Sequence, residues 1–128
     1  MAAAIAPLLI ALASFVLRLV NLGATKGYIF DEVYYVDGAR DLLKYGVEVS
    51  GSSPEFIVHP PVGKWLIGAG IALFGDNEFG WRFATALIGT LLILVFARLV
   101  HVLFYSPLLT ALGAALMALD GLLLVHSR

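Results

Sequence analysis

Two adjacent carboxylates, Asp31 and Glu32, lie among aromatic and β-branched residues shortly after the first long apolar stretch. A carboxylate in such a partly apolar setting could act as a general base. The alternative is structural: Asp31 would cap a helix and Glu32 would interact favourably with the helix dipole. Because neighbouring helical residues do not face each other, the two are unsuited to the paired-acid chemistry of a glycosidase. The spacing favours one base beside a carboxylate with a different task.

Cationic side chains follow at two further positions. The run His59-Pro60-Pro61-Val62-Gly63-Lys64 places an imidazole and an ammonium where a short helix would begin, and helix N-termini attract phosphate. Alternatively, the prolines only form a turn and Lys64 extends its ammonium to the membrane surface. Arg82, at the end of Phe79-Gly80-Trp81-Arg82, either binds a phosphate or anchors a helix in the membrane interface. His59, Lys64 and Arg82 are therefore candidate substrate-binding residues. A lone histidine without a second at ligand spacing does not indicate a metal site.

The elements that carry these residues belong to a membrane protein. Of the 128 residues, 61% are hydrophobic and 13% are charged, whereas soluble domains average about 25% charged residues. A soluble chain of this composition would expose apolar surface on a scale that monomers rarely show. Composition therefore disfavours a soluble enzyme, a nucleic-acid-binding protein and a disordered linker. The sequence has no cysteine, which excludes disulfides and thiol nucleophiles within it.

Three apolar stretches, at about residues 2–22, 83–105 and 107–125, are long enough to cross a bilayer, which takes about 20 residues. The last two form a hairpin, since Ser106-Pro107 is a favourable helix start. Between spans one and two, residues 23–82 form a first loop that carries most of the charged residues. In it we predict an amphipathic helix at Asp31–Tyr45 and a short apolar helix at Val62–Phe74, both interfacial or re-entrant. The fold class is an all-α integral membrane protein, and charge does not decide its orientation.

One acid, Asp120, lies within the third apolar stretch. A helix that starts near Pro107 and rises ~1.5 Å per residue places it ~20 Å into a ~30 Å hydrocarbon core. An acid at this depth should face a cavity or a partner, which makes it a candidate functional residue. The hairpin also returns the chain to the side of the first loop. We therefore expect one membrane face to carry Asp31, Glu32, His59, Lys64, Arg82, Asp120 and Arg128.

Five motifs in this order resemble the protein O-mannosyltransferases, and their spacing is most similar to that of the actinobacterial members. They are Arg18 in the first span, Phe30-Asp31-Glu32-Val33-Tyr34-Tyr35, His59 to Ile67, Phe79-Gly80-Trp81-Arg82-Phe83, and Leu119-Asp120-Gly121 with Ser127-Arg128.

The resemblance implies the N-terminal part of a C-type (GT-C) glycosyltransferase fold. It implies transfer of mannose, with inversion, from polyprenyl-phosphate-mannose to Ser/Thr hydroxyls of proteins that cross the membrane. The family's first-loop acid corresponds to Asp31, the expected general base, with Glu32 as a second catalytic residue. Arg18 and Arg82 also match functionally important positions, and we expect them to bind substrate together with His59, Lys64, Asp120 and Arg128.

The resemblance also implies a setting for the reaction. The protein would be a multi-pass protein of the bacterial plasma membrane, with its first loop extracytoplasmic. Its partners would be the bilayer, the lipid-phosphate-mannose donor, a secreted Ser/Thr acceptor protein and the translocation machinery, with no nucleic acid. We expect no cofactor and no metal, because a leaving group with a single phosphate needs no bridging ion. Family members are much longer, so we expect a fragment that is inactive alone.

Three alternatives remain open at this stage. The first is a C-type transferase for another sugar or acceptor, such as an aminoarabinose transferase that modifies a lipid. The second is a transporter or channel segment in which Asp120 lines an ion path. The third is a structural membrane segment that only binds partner helices.

Overall fold

Helices form most of the regular structure of this chain. The protein's computed structural model describes the backbone of residues 2–50, 53–54 and 59–127 and the side chains of residues 5–49 and 59–127. Within these ranges the elements are α1 (Ala2–Leu19), α2 (Glu32–Tyr45), β1 (Val49–Ser50), β2 (Ser53–Pro54), α3 (Pro61–Phe74), α4 (Glu78–Phe104), α5 (Pro107–Leu119) and α6 (Gly121–His126). The two short strands pair antiparallel, with Val49 opposite Pro54.

The chain divides into two compact units. The first-loop unit is Leu22–Ala84 and contains α2, the two strands, α3 and the start of α4. The span unit combines Met1–Asn21 with Thr85–Arg128. The first-loop unit corresponds closely to the predicted loop, and it contains the candidate residues from Asp31 to Arg82.

The predicted second span is present as α4. In the described ranges this is the one helix long and apolar enough to cross a membrane. It has 27 residues. Its most apolar stretch of 18 residues has a mean hydropathy of 2.4, and 22% of that stretch is buried. In the span unit, α4 packs with α1 and α5 through small residues, which let helices approach closely. This core is Ala11, Ile93, Ala97, Ala114 and Ala118.

The structure divides the predicted third span into two helices. Helix α5 starts as predicted, because Ser106 accepts a hydrogen bond from the Leu109 N–H (3.4 Å) and Pro107 follows it. It ends at Leu119, and Asp120 has an extended backbone conformation (φ −60°, ψ 116°). The Asp120 carboxylate accepts a hydrogen bond from the Leu123 N–H at 2.7 Å and so caps α6. The prediction of one continuous helix is wrong here, because an aspartate that caps a backbone N–H starts a new helix.

In the first-loop unit, α2 packs against α3. Their core contains Val36 and Ala39 from α2, Ile67 from α3, and Trp81 from the first turns of α4. The prediction of an amphipathic α2 is confirmed, and its start at Glu32 and its left-handed C-cap at Gly46 match the sequence pattern. On its apolar face, Val36 and Ala39 are buried against α3, whereas Leu43 is exposed. Helix α3 also exposes apolar side chains, namely Val62, Trp65, Leu66 and Leu73.

The main chains of α3 and α4 are in close contact near the start of α4. A Cβ atom built on Gly70 would lie 2.2 Å from the Gly80 carbonyl oxygen, and one on Gly80 would lie 2.2 Å from the Gly75 carbonyl oxygen. Atoms do not approach so closely without a shift of the main chain. Glycine at these two positions therefore permits the contact between α3 and α4 in the first-loop unit.

We predict that Gly70→Ala lowers the stability of the chain by about 1–3 kcal/mol, the usual cost of overpacking. Gly63→Ala in the same helix is the matched control, because its Cβ would lie 3.6 Å from the Tyr35 ring, an ordinary contact. This control should be neutral or stabilising by up to ~1 kcal/mol, since alanine favours a helix. Thermal unfolding in lipid nanodiscs measures both, and equal midpoints for the two variants would contradict the prediction.

Candidate active site in the first loop

A tight turn displays Phe30 and Asp31 at the start of α2. The Glu32 N–H donates to the Ile29 carbonyl oxygen at 3.1 Å. In return, the Ile29 N–H donates to Glu32 Oε2 at 2.8 Å. These reciprocal bonds close the turn on both sides. The two residues between them are therefore presented at its tip.

Arg82 holds this turn against α4. Its guanidinium binds Glu32 in bidentate fashion, with Nε 2.7 Å from Oε1 and Nη2 2.8 Å from Oε2. It also donates to the carbonyl oxygens of Leu22 (3.3 Å), Thr25 (2.9 Å) and Gly27 (3.0 Å). A guanidinium has five N–H donors, and these bonds use all five. Arg82 is buried and acts as the support of the loop backbone, which leaves no donor for the phosphate predicted from the sequence.

The same contacts determine the charge of Glu32. Burial alone would raise its pKa, but the hydrogen bonds from Arg82 and from the Ile29 N–H outweigh it and lower the pKa below its ordinary value. Glu32 therefore stays ionised at neutral pH. A carboxylate whose pKa is lowered and whose two oxygens already accept hydrogen bonds is a poor proton acceptor.

Asp31 has a different environment. It occupies the N-cap position of α2, with helical backbone angles (φ −74°, ψ −3°), yet its side chain makes no capping hydrogen bond. Asp31 is half-buried, and its carboxylate has no hydrogen-bond donor among the described residues. The structural alternative from the sequence, a helix cap, thus holds for its position but not for its side chain. Of the two adjacent carboxylates, Asp31 is the one open to a ligand in the described structure.

Phe30, beside Asp31, has an unusual backbone conformation. Its φ is +51°, and its side chain is 91% exposed. A left-handed conformation costs a residue other than glycine about 1–3 kcal/mol. Asn21 and Tyr105 also have positive φ, but both follow the ends of helices, where this conformation is common. Phe30 precedes a helix.

A second cluster, centred on Arg40, supports the segment just before the turn. Arg40 binds Asp76 with two bonds of 2.8 Å and donates to the Tyr28 hydroxyl at 2.6 Å and to Asp37 at 2.7 Å. Trp81 stacks on Tyr28 at 5.1 Å between ring centres and donates from Nε1 to Asp76 at 2.6 Å. Hydrogen bonds from Arg40 and Trp81 lower the pKa of Asp76. Trp81 is buried in this unit and belongs to its core.

Lys64 forms an ion pair with Glu48, and both side chains are 4% exposed. The sequence predicted that Lys64 would attract a phosphate, whereas the structure already gives it a carboxylate partner. Gly38 makes room for the pair, since a Cβ there would lie 2.8 Å from Lys64 Cδ. His59 lies next to Tyr35, with 4.9 Å between the ring centres.

Sequence reasoning missed Glu48 and the Arg40–Asp76 pair. Glu48 lies in a polar segment that has the composition of an exposed loop. Asp76 follows the glycine that ends α3, which is a typical position for an exposed turn residue. No local spacing in the sequence connects either acid to its partner.

The remaining candidates belong to the span unit. Arg18 is fully buried and donates to the Ser14 side chain and, over 2.8 Å, to Ser127 Oγ. Gly89 provides the space, because a Cβ there would lie 2.5 Å from Ser127 Cβ. Asp120 is exposed and caps α6, while Arg128 lies outside the described residues. The expected gathering of all candidates on one membrane face stays a prediction.

Comparison with known proteins identifies the family. Residues 58–128, more than half of the chain, match the family model for dolichyl-phosphate-mannose-protein mannosyltransferases. The chain belongs to this family. The mannosyltransferase family inferred from the five sequence motifs is thus confirmed.

Among the described residues, no three His, Asp or Glu side chains lie close enough together to hold a metal ion.

Curated relatives of this mannosyltransferase family member are bacterial. The polyprenol-phosphate-mannose–protein mannosyltransferase of Mycobacterium tuberculosis is 41% identical over 126 residues, which cover 94% of this chain and 24% of the relative. The enzyme of that name from Mycolicibacterium smegmatis is 36% identical, covering 87% of this chain and 22% of the relative. An undecaprenyl phosphate-alpha-4-amino-4-deoxy-L-arabinose arabinosyl transferase from Pseudomonas savastanoi is 34% identical, and the match covers 75% of this chain and 19% of the relative. The chain thus spans about a quarter of the first relatives' length, and no solved structure matches it significantly.

The Glu32–Arg82 pair predicts how the stability of this chain changes with pH. The folded-state pKa of Glu32 lies below its ordinary value of 4.5, so the stabilisation is present above pH 4.5 and is lost as pH falls through the folded-state pKa. Glu32→Gln should cost about 1.5–3 kcal/mol at pH 7, the range for hydrogen bonds to charged groups. The difference between the two proteins should shrink on acidification below pH 4.5.

Denaturant titrations of the chain in nanodiscs between pH 7 and pH 3 measure this difference. Glu32→Gln in an Arg82→Lys background is the control, because lysine cannot form the bidentate pair and the cost should be smaller there. A cost that does not change with pH would show that the stabilisation does not depend on the ionised form of Glu32, which contradicts the prediction.

Proposed function

We propose that this chain forms part of a membrane glycosyltransferase that moves mannose from polyprenyl-phosphate-mannose to Ser/Thr hydroxyls of proteins. The names of the mycobacterial relatives support this donor and a protein acceptor. The observation that carries the proposal is the contrast between two neighbouring carboxylates. Glu32 is bonded on both oxygens, whereas Asp31 is displayed beside it without a donor among the described residues.

Asp31 acts as the general base in this proposal. Its carboxylate takes the proton of the acceptor hydroxyl while the hydroxyl oxygen attacks the anomeric carbon of mannose. The bond from that carbon to the phosphate oxygen breaks on the opposite face, the electron pair leaves with the lipid phosphate, and the configuration inverts. A positioned base of this kind contributes about 10²–10⁴ to the rate.

The other candidates have distinct tasks. Glu32 and Arg82 are positioning residues that hold the Asp31 turn, and Lys64 with Glu48 stabilises the packing of α2 on α3. Positive charge stabilises a departing phosphate, so Arg18 and Arg128 are proposed to serve the donor. His59 and Asp120 are proposed to contact substrate.

The membrane arrangement follows from the same proposal. Helices α1 and α4, and α5 together with α6, form three spans of a GT-C fold in the bacterial plasma membrane. The first-loop unit faces the extracytoplasmic side, where acceptor proteins emerge from the translocation machinery. Helix α3 is too short to span and lies in the interface, with Val62, Trp65 and Leu73 toward lipid.

A second candidate function is transfer of an amino sugar to a lipid acceptor. The observation that favours it is the 34% identity to the Pseudomonas aminoarabinose transferase over 102 residues. The two functions share a polyprenyl-phosphate donor and a need for a base. They differ in the sugar and in the acceptor, so an assay with each donor and each acceptor separates them.

The decisive experiment uses a chimera in which this chain replaces the matching segment of the Mycobacterium tuberculosis relative. We expect membranes containing the chimera to transfer radiolabelled mannose from polyprenyl-phosphate-mannose to a threonine peptide. Asp31→Asn should lower this rate by about 10²–10⁴, the contribution of a general base. Asp37→Asn is the matched control and should keep the rate, because Asp37 is an exposed aspartate of α2 whose partner Arg40 remains bound to Asp76.

Three results would contradict the proposal. Transfer by Asp31→Asn at the wild-type rate would show that Asp31 is not the base. With an aminoarabinose donor and lipid A supplied in a parallel reaction, transfer of the amino sugar to lipid A without mannose transfer to the peptide would favour the second function. A chimera that inserts and folds but transfers mannose to neither acceptor would show that this chain does not supply a working part of a mannosyltransferase.

A further inference from the structure

Phe30 is placed against the ordinary preferences of its residue type. Its ring is 91% exposed, although large apolar side chains are normally buried. Its positive φ of 51° is a conformation that glycine adopts without steric cost. Glycine would therefore serve the folding of this turn better than phenylalanine, and the ring brings no compensating burial in the described structure.

The surroundings of Phe30 are nevertheless rigid. Tyr28 stacks on Trp81 and accepts a hydrogen bond from Arg40. Ile29 and Glu32 close the turn with two reciprocal bonds, and Arg82 holds Glu32. Phe30 thus keeps its position through the bonds of its neighbours. Because the backbone that carries the ring is already held, little backbone entropy is lost when the ring meets a ligand.

We propose that Phe30 is a specificity-determining residue that packs against an apolar side chain next to the acceptor Ser or Thr. This inference rests on the proposed function, in which Asp31 binds the acceptor hydroxyl. The Cα atoms of neighbouring residues are about 3.8 Å apart, and an extended peptide advances by a similar length per residue. A Ser or Thr hydroxyl at Asp31 therefore brings the flanking side chains of the acceptor within reach of the Phe30 ring.

The chemistry of the ring favours the acceptor over the sugar. Phenylalanine has no hydrogen-bond donor or acceptor in its side chain, so it cannot distinguish the hydroxyl groups of one sugar from those of another. Against an apolar side chain, the same ring removes apolar surface from water, which is favourable. The acceptor's flanking residue is thus the ligand that fits this position.

The test uses the active chimera and two threonine peptides that differ only in the residues beside threonine, leucine in one and glycine in the other. We expect the chimera to prefer the leucine peptide by about tenfold in kcat/KM, within the range for a hydrophobic contact. Phe30→Gly should reduce this preference to less than twofold while keeping the rate on the glycine peptide and the KM for the donor. Phe30→Leu, which stays apolar, should retain part of the preference.

Tyr34→Ala is the matched control, since Tyr34 is another exposed aromatic residue (62%) one turn further along α2. It should leave the peptide preference unchanged. Thermal unfolding of the chimera gives an independent measurement, in which Phe30→Gly should melt no lower than the parent because glycine fits the positive φ.

Several outcomes would overturn the inference. Equal losses on both peptides would indicate a purely structural role, and a raised KM for the donor would place the ring against the donor. A lower melting temperature for Phe30→Gly would show that the ring packs against the rest of the protein. An unchanged preference for the leucine peptide would show that the ring does not contact the acceptor's flanking residue. Failure of the proposed function looks different, since then the parent chimera transfers no mannose or Asp31→Asn remains active.

Discussion

The first-loop unit depends on one buried guanidinium, that of Arg82. A buried charge is tolerated only when it is paired and its hydrogen bonds are satisfied. Arg82 meets this condition with a carboxylate fifty residues away in sequence and with three backbone carbonyls of the loop. The chain from Leu22 to Glu32 must therefore wrap around this one group. The position of Asp31 is thus set by a residue at the start of the long helix α4.

This arrangement separates two tasks that neighbouring carboxylates could share. Glu32 is held ionised by Arg82, and this ion pair fixes the loop backbone. Asp31 keeps its carboxylate oxygens available in the described structure. The difference arises from direction alone, since adjacent residues at the start of a helix point to different sides. One turn therefore joins a rigid support to an accessible group, and it does so with two consecutive residues.

Local features of the fold were predictable from the sequence, and long-range ones were not. Apolar spacing with Pro61 and Gly46 indicated α2 and α3 to within a residue or two, because helix starts and stops have local chemical causes. Asp31 was recognisable as a candidate general base because it is a carboxylate among aromatic and β-branched residues. The break at Asp120 was missed because the apolar residues continue on both sides of it. Lys64 with Glu48 and Arg40 with Asp76 depend on how α2, α3 and the turns pack, and no local pattern encodes that packing.

The glycines of the first-loop unit also differ in how evolution can alter them. The obstacles at Gly38 are the side-chain ends of Lys64 and Glu48, so a larger residue there could be accommodated by shorter, uncharged side chains at positions 64 and 48. At Gly70 and Gly80 the obstacles are carbonyl oxygens of the main chain, which no substitution can shorten. Second-site suppressors should thus exist for changes at position 38 but not at positions 70 and 80. Substitutions should therefore be easier to accommodate in the layer between α2 and α3 than at the crossing of α3 and α4.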